Sequence, residues 1–392
     1  VSGLLDLDEA QERLLALVPV LGAETVPVEE ALGRVLAHDL KAARTQPSAD
    51  LSAMDGYALS GAGPWKLVGE SRAGAPFDGK LAEGEAVRIS TGAHMPAGSD
   101  SVLIQENAHV TQDEVSAEDA PPLGKHVRKR GFDFASGDTV LEAGTRIGPA
   151  QLALAITSGH GTLAVRKRAK VAVLDSGDEL SSDPENCGPN QIPASNGAMI
   201  AAMLRPLVGE CMRIGPVGDD MGALAAALAR AEGCDILITS GGASVGDHDL
   251  VQSALREWGA DIAFWKVAIR PGKPLMVATR GSQVVLGLPG NPVSSFVTAF
   301  LFALPLARAA MGMAARLPVA VTAQAAETMP ATGARREFVR GVFDGQRVRR
   351  AASQDSSAIR SLAAANCLIE RPAGSGEVQP GEPVRIYNIE NG

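Results

Sequence analysis

The chain is poor in the residues that most often announce a site. Its six histidines form no cluster, so neither a His-based metal centre nor a Ser-His-Asp triad has support. The four cysteines, Cys187, Cys211, Cys234 and Cys367, make no Cys-x-x-Cys pair and have no nearby His at zinc spacing. We expect reduced thiols, most of them small core residues, and no nucleophile at Cys187, which has no evident base. Aromatics make up only 4%, so the cores must be aliphatic. No Gly-Lys-Ser/Thr closes a glycine loop and no G-x-G-x-x-G occurs, which excludes the P-loop and the dinucleotide fingerprint. The formal net charge of -9 argues against nucleic acid as a partner while leaving room for a local cationic site. No apolar run of membrane length is uninterrupted. "FVTAFLFALPLARAA" comes near, but Pro305 and Arg308 interrupt it, and a core helix is expected, with no membrane partner. The chain opens without Met, which fits processing, and without a signal-peptide pattern; a cytoplasmic protein is expected.

What is present falls into successive textures. A length of 392 residues implies two to four domains, and the balance of 45% hydrophobic to 21% charged residues is that of a globular chain. "DLDEAQERLLALV" has helical apolar spacing with acids at its start. "VPVEEALGRVLAHDL" reads as a short strand and a second helix. From residue 46 to 134 glycine and proline become frequent, and "WKLVGE", "AVRIS" and "SVLIQENAHV" read as strands of a β-rich module. Residues 135–168 return to turn, strand and helix. Between 169 and 315 strands alternate with helices, among them "SNGAMIAAMLRPLV" with a cap at Asn196. That rhythm means a doubly wound, mostly parallel sheet with helices on both faces. Residues 316–392 read as a small β domain. The fold class is multidomain α/β.

Ligands of such sheets bind beyond the carboxyl ends of the strands, where three loops lie. "DSGDEL" supplies Asp175, Asp178 and Glu179, either as an acidic helix cap or as donors to a metal or a ring. In "TSGGASVGDHD" Gly241 and Gly242 admit a ligand to the backbone, and Asp247 and Asp249 are hard oxygen donors suited to Mg²⁺ beside a phosphate. A plain glycine turn ahead of a capped helix fits the same residues. "LGLPGNPVSSF" is either a tight turn or a ligand-facing one, with Gly287, Pro289, Gly290 and Pro292 shaping it. "WKVAIRPGKP" adds three cations. Lys266 and Arg270, four apart, share a strand face, and Lys273 sits on the following turn. They read as an anion site or as solvated surface charge. Asp55 in "SAMDGYAL" and Thr91 in "ISTGAHMPAGSDSVL" are weaker signals.

Taken in order, "SAMDGYAL", "TGAHMPAGSDSVLIQE", "RGFDF", "DSGDEL", "SNGAMIAAML", "TSGGASVGDHD", "KVAIRPGKP", "LGLPGNPVSSF" and "REFVRG" resemble the molybdopterin molybdenumtransferase family, the MoeA and gephyrin E-domain group. The resemblance spans Ser52 to Arg340 and continues more weakly through "SSAIRSLAAANCLIE". It implies an elongated homodimer of four-domain subunits. Residues 1–45 and 135–168 would form a discontinuous N-terminal α+β domain, 46–134 the inserted β-rich domain, 169–315 an α/β domain similar to molybdopterin adenylyltransferase, and 316–392 the C-terminal β domain. The implied reaction inserts molybdenum from molybdate into adenylylated molybdopterin, with Mg²⁺-assisted hydrolysis and release of AMP.

Carried over by motif, Asp249 would hold Mg²⁺ and pyrophosphate, with Asp247 nearby. Glu179, Asp219 and Asp220 would line the pterin and phosphate pocket, together with Gly241, Gly242 and Ser244. Lys266, Arg270 and Lys273 would meet phosphate and molybdate oxygens. Pro289, Gly290, Asn291 and Pro292 would face the ligand, and Ser294, Arg340 and Ser357 would form the molybdate pocket. Asp55, Thr91 and Asp133 would reach the cleft from the partner subunit. Implied protein partners are the adenylyltransferase and apo-molybdoenzymes or their chaperones. Two departures stand out. Arg270 replaces a common Lys, and "SSAI" has Ser356 and Ala358 where relatives commonly have Gly and His. The rival readings are molybdopterin adenylyltransferase, which has no need of "SAMDGYAL" or "REFVRG", and a gephyrin-like scaffold.

Overall fold

The alternation of strand and helix after residue 169 produces a six-stranded sheet. Edge to edge it runs Glu210–Val217, Lys170–Ser176, Ile236–Ser240, Gln283–Leu288, Pro274–Arg280 and Asp261–Lys266. The first four strands are parallel, and Pro274–Arg280 runs antiparallel to both neighbours. The computed structural model on which this description rests describes residues 4–241 and 250–389. Alternation along the Lys170–Ser176 strand sorts its side chains into two layers. Val171 and Val173 pack with Ile200 and Leu204 of the Asn196–Leu204 helix, while Ala172 and Leu174 pack with Leu224 and Leu255 of the Met221–Arg230 and Leu250–Glu257 helices. Both faces of the sheet are thus covered, as a parallel sheet requires.

The long apolar segment is a helical run from Pro292 to Ala310, 94% buried over its most apolar window. This is the core helix expected there, and it passes through Pro305. A π-helical stretch over Ala299–Ala303 precedes the proline. The carbonyl four residues before Pro305, on Leu301, has no proline N–H to accept, and the Gln11 side-chain amide donates to it at 2.7 Å. A side chain from the opposite end of the chain therefore supplies the bond the proline removes.

The N-terminal part is built across an insertion. Ala23–Pro27 pairs with Thr162–Arg166, and Leu40–Lys41 with Thr139–Leu141. Between them lies the β-rich module, a six-stranded sheet in the order Ser101–Ile104, Gly56–Leu59, Glu85–Ile89, Trp65–Ser71, Glu114–Ser116, His109–Thr111. The second helix expected near residue 30 is a single 3-10 turn, Val28–Ala31. Gly33 follows at φ +76°, and Val35 and Leu36 bridge to Arg146 and Val165, so the backbone turns into the sheet instead. The first helix, Leu7–Leu15, packs its Leu7, Ala10 and Leu14 into the core of the central domain.

The C-terminal part closes on itself. Arg336–Phe343 pairs with Arg347–Arg350, which continues through Val321–Ala325, Pro383–Asn388 and Cys367–Arg371 back to Arg336–Phe343. Val339, Val348, Cys367 and Ile369 fill this small barrel, and burial pushes the Cys367 thiol up to about 12. Of the other cysteines, none is fully buried; all four are free. Phe338 points outward and packs with Tyr387 into the central core.

Candidate functional site

Adjacent strand ends align the motif loops along one edge. Asp175 stands opposite Ser240, and Ser240 opposite Leu288. Lys266 stands opposite Pro274 at the same edge. The Gly241 N–H donates to the Leu288 carbonyl at 3.1 Å, joining the two glycine loops. Gly287 is required by space: a Cβ there would lie 2.6 Å from Met276 Cε and 2.8 Å from its Cβ. Asp178 Oδ1 accepts from the Asp219 N–H at 2.9 Å, and Asp220 caps the Met221–Arg230 helix by accepting from the Ala223 N–H at 2.8 Å. Asp220 thus has a structural duty already, whereas no bond to the Asp219 carboxylate is found among the described residues.

Asn196 is the first residue of its helix and not the expected cap. Its side-chain amide reaches across the edge and donates to the Gly290 carbonyl at 2.6 Å. The next N–H, on Gly197, donates to Asp175 Oδ1 at 2.9 Å. A Cβ on Gly197 would stand 2.1 Å from Asp175 Oδ2. Gly197→Ala should therefore cost about 1–3 kcal/mol of stability and loosen the 289–292 turn through Asn196; thermal melts check this.

Asp175 is 1% exposed, with Arg213 at 3.7 Å. Burial pushes its carboxyl above the ordinary 3.8, opposed by the Gly197 N–H and by Arg213. The folded chain then holds that proton more tightly than the unfolded chain. Stability falls as pH rises from the unfolded value through the raised one. Asp175→Asn keeps an acceptor for Gly197 and should flatten that slope, as read by urea unfolding from acid to neutral pH. Asp175→Ala, which strands the N–H, should lose about 1–3 kcal/mol.

The second part of the site is a cavity of ≈ 630 Å³ where the sheet edge meets the barrel. A short pairing joins the units: Ile269 and Arg270 pair with Arg336 and Glu337. The strand expected to carry Lys266 and Arg270 on one face breaks between them. Lys266 stays in the central sheet, while Arg270 joins the barrel and ion-pairs with Glu337 at 3.1 Å. Beyond that short pairing, Arg270, Ser294 and Arg340 line the cavity. Arg340 is 1% exposed, and its Nη2 donates to the Ser353 and Asp355 carbonyls at 2.8 and 3.0 Å, while its Nε has no partner. Burial lowers its pKa, and Asp355 opposes this. Ser294 is 6% exposed. The wall at the "SSAI" stretch is Ser356. Ser357 instead donates its hydroxyl to Asp355 Oδ1 at 2.5 Å, which holds that carboxyl below its ordinary value.

The remaining residues lie apart. Pro289 is buried, Pro292 half-buried and Gly290 and Asn291 exposed on the turn, and Lys273 and Glu179 border the same edge. Asp55 accepts from the Thr91 N–H at 2.7 Å, and the Asp133 N–H donates to Gln46. All these partners are inside the β-rich module, away from the cavity. Gly242, Ser244, Asp247 and Asp249 lie outside the described residues. Among the described residues no three His, Cys, Asp or Glu side chains converge on a metal position. Arg350, Gln354 and Arg371, which also border the cavity, were not singled out by sequence. "RVRR" and "IERP" look like ordinary strand ends until the barrel closes and brings them together.

With this geometry in view, three family matches divide the chain. Residues 5–159 match the MoeA N-terminal region (domain I and II), 172–309 a probable molybdopterin binding domain, and 322–389 the MoeA C-terminal region (domain IV). A molybdopterin molybdenumtransferase of Haemophilus influenzae is 33% identical over 98% of both chains. Molybdopterin molybdenumtransferase 2 of Mycobacterium tuberculosis is 34% identical over 93% of this chain and 95% of its own. The molybdopterin biosynthesis moeA protein from Pyrococcus horikoshii OT3 superposes with a TM-score of 0.86 at 26% identity, covering 99% of this chain and 100% of its own.

Proposed function

Because the chain belongs to the molybdopterin molybdenumtransferase family, we propose that it inserts molybdenum from molybdate into adenylylated molybdopterin and releases AMP. The observation that carries this reading is Arg340. A guanidinium 1% exposed, anchored by two carbonyls and lacking any carboxylate bond, is held ready for an anion at the cavity wall. A preorganised, buried cation binds a dianion such as molybdate more strongly than the same cation in water. Ser294 offers a hydroxyl at the same wall.

The carboxyl edge suits the other substrate. Backbone around Gly241 and the 289–292 turn would face the pyrophosphate, with Lys266, Arg270 and Lys273 balancing its charge. Glu179 and Asp219 would accept pterin N–H groups. Mg²⁺ would be held by Asp249 and Asp247 with the ligand's own phosphates. An ion bound through one or two carboxylates is the usual Mg²⁺ pattern, and it fits an edge whose described carboxylates form no cage. When bound, the ion supplies Lewis-acid polarisation of the phosphoanhydride. Water cleaves that bond, leaving AMP and the molybdopterin phosphate.

We assign 1–45 with 135–168, 46–134, 169–315 and 316–392 as the working units, in a cytoplasmic homodimer. Asp55, Thr91 and Asp133, remote from the cavity within one chain, would complete the cleft of the partner subunit. Ser357, bonded to Asp355, would act by shaping the cavity wall.

The test mixes the protein with adenylylated molybdopterin, Mg²⁺ and molybdate and follows AMP. Molybdate-dependent AMP release with formation of active cofactor is the expected result. Tight substrate binding without AMP would indicate a scaffold, and pterin-dependent ATP consumption an adenylyltransferase; either would overturn the reading.

A further inference from the structure

The cavity has a second end. By alternation along Arg336–Phe343, Phe338 and Arg340 face the central domain, while Glu337 and Val339 face the barrel. Arg371 is the register partner of Glu337, and Arg270 is its partner on the other side. The three residues therefore form one lateral row, Arg270–Glu337–Arg371, across the mouth of the barrel. Arg371 is 3% exposed. Its Nη2 donates to the Gly376 carbonyl at 2.6 Å and lies 3.3 Å from Ser375 Oγ. No other protein partner of its guanidinium is found among the described residues.

The charges around the cavity do not balance. Arg350 has Glu327 at 3.3 Å, and Arg270 has Glu337 at 3.1 Å. Asp355, bonded to the Ser357 hydroxyl, keeps its charge and acts on Arg340 without an ion pair. Arg340 and Arg371 are left as buried guanidiniums, each held by backbone carbonyls and neither within an ion pair among the described residues. Burial lowers the pKa of both, opposed by Asp355 at Arg340 and by Glu337 at Arg371. Of the groups named here four guanidiniums face three carboxylates, so the surroundings of the cavity keep a net positive charge and point to an anionic occupant.

We infer that Arg371 is a further oxyanion-binding residue, meeting a tetrahedral dianion from the barrel side, and that Glu337 sets how strongly the cavity attracts it. The inference rests on the molybdate reading above and extends it to a residue outside the recognised motifs. Glu337 is a carboxylate in the wall of an anion cavity. It repels the dianion and engages Arg270, so removing its charge raises the local potential and frees a third guanidinium. The two residues thus act with opposite signs.

The test is calorimetric titration of the full chain with sodium molybdate, with melting temperatures measured alongside. Arg371→Met should weaken binding at least tenfold, Arg371→Lys should stay within about threefold of wild type, and Glu337→Gln should tighten binding several-fold. Opposite signs for Arg371→Met and Glu337→Gln are the signature that a merely structural pair would not give. If both variants bind like the wild type, or both weaken it as the melting temperature drops, the inference falls while the molybdate reading stands. Should Arg371→Met not fold, Glu337→Gln and Arg371→Lys decide: no tightening in the first, or a tenfold loss in the second, overturns it. A wild-type chain that binds no molybdate removes the functional reading itself.

Discussion

Arg340→Ala should lower molybdate-dependent AMP release by on the order of a hundredfold or more, the cost of removing one preorganised donor from a charge-stabilising site. Two effects must be separated. The side chain faces the cavity, and its Nη2 also gathers the Ser353 and Asp355 carbonyls. Losing it strands those acceptors, at about 1–3 kcal/mol for a buried group, and frees the loop that carries Ser356. Arg340→Lys distinguishes the two. It keeps the charge but has no planar fork to span two carbonyls. If charge toward the anion dominates, the Lys variant recovers much of the molybdate affinity while melting lower than wild type. If the loop dominates, Lys and Ala lose activity alike. Full activity in the Ala variant would remove Arg340 from the reaction.

Asp249→Ala should abolish Mg²⁺-dependent AMP release, by on the order of a thousandfold, since the ion's contribution to charge stabilisation is several kcal/mol. Substrate binding should survive in part, because the cations and backbone N–H groups at the edge remain. The informative readout is therefore intact adenylylated substrate recovered from the protein after incubation. An Mg²⁺ titration gives the second check: the variant should need far more of the ion, with Asp247 left as the nearest donor in sequence. An unchanged Mg²⁺ requirement would assign the metal elsewhere.

The central sheet was legible because its strands are nearly continuous apolar runs bounded by polar loops. Lys170–Ser176 and Gln283–Leu288 are buried on both faces, and a two-sided sheet writes that pattern directly into sequence. The glycine and proline loops were legible for a related reason, since Gly287 and Gly197 leave no room for a Cβ. The cationic span was read less well. Periodicity places Lys266 and Arg270 together only if the strand continues, and it ends where Arg270 is captured by Glu337, 67 residues away. Asn196 likewise has the composition of a helix cap, but Gly290 competes for its amide. The core helix through Pro305 was legible, but nothing nearby reveals that Gln11 satisfies the carbonyl the proline leaves free. Each miss is a long-range partner overriding a local preference. The cavity's barrel wall is the extreme case, assembled from strand ends that individually look like solvent-facing charge.

The docking of the first helix has a consequence for the order in which the molecule matures. Leu5 exchanges backbone hydrogen bonds with Lys266 and Ala268, Gln11 bonds to Leu301, and Arg336 reaches back to Asp8 at 3.0 Å. Synthesis proceeds from the N-terminus, so the Leu7–Leu15 helix leaves the ribosome well before the segments it packs against. Its apolar stripe stays uncovered until the helical run Pro292–Ala310 has emerged. Once docked, the segment fastens the central sheet to the barrel through Leu5 and Asp8. Assembly of the cavity likewise waits for the strand Cys367–Arg371, which carries Arg371 to its wall.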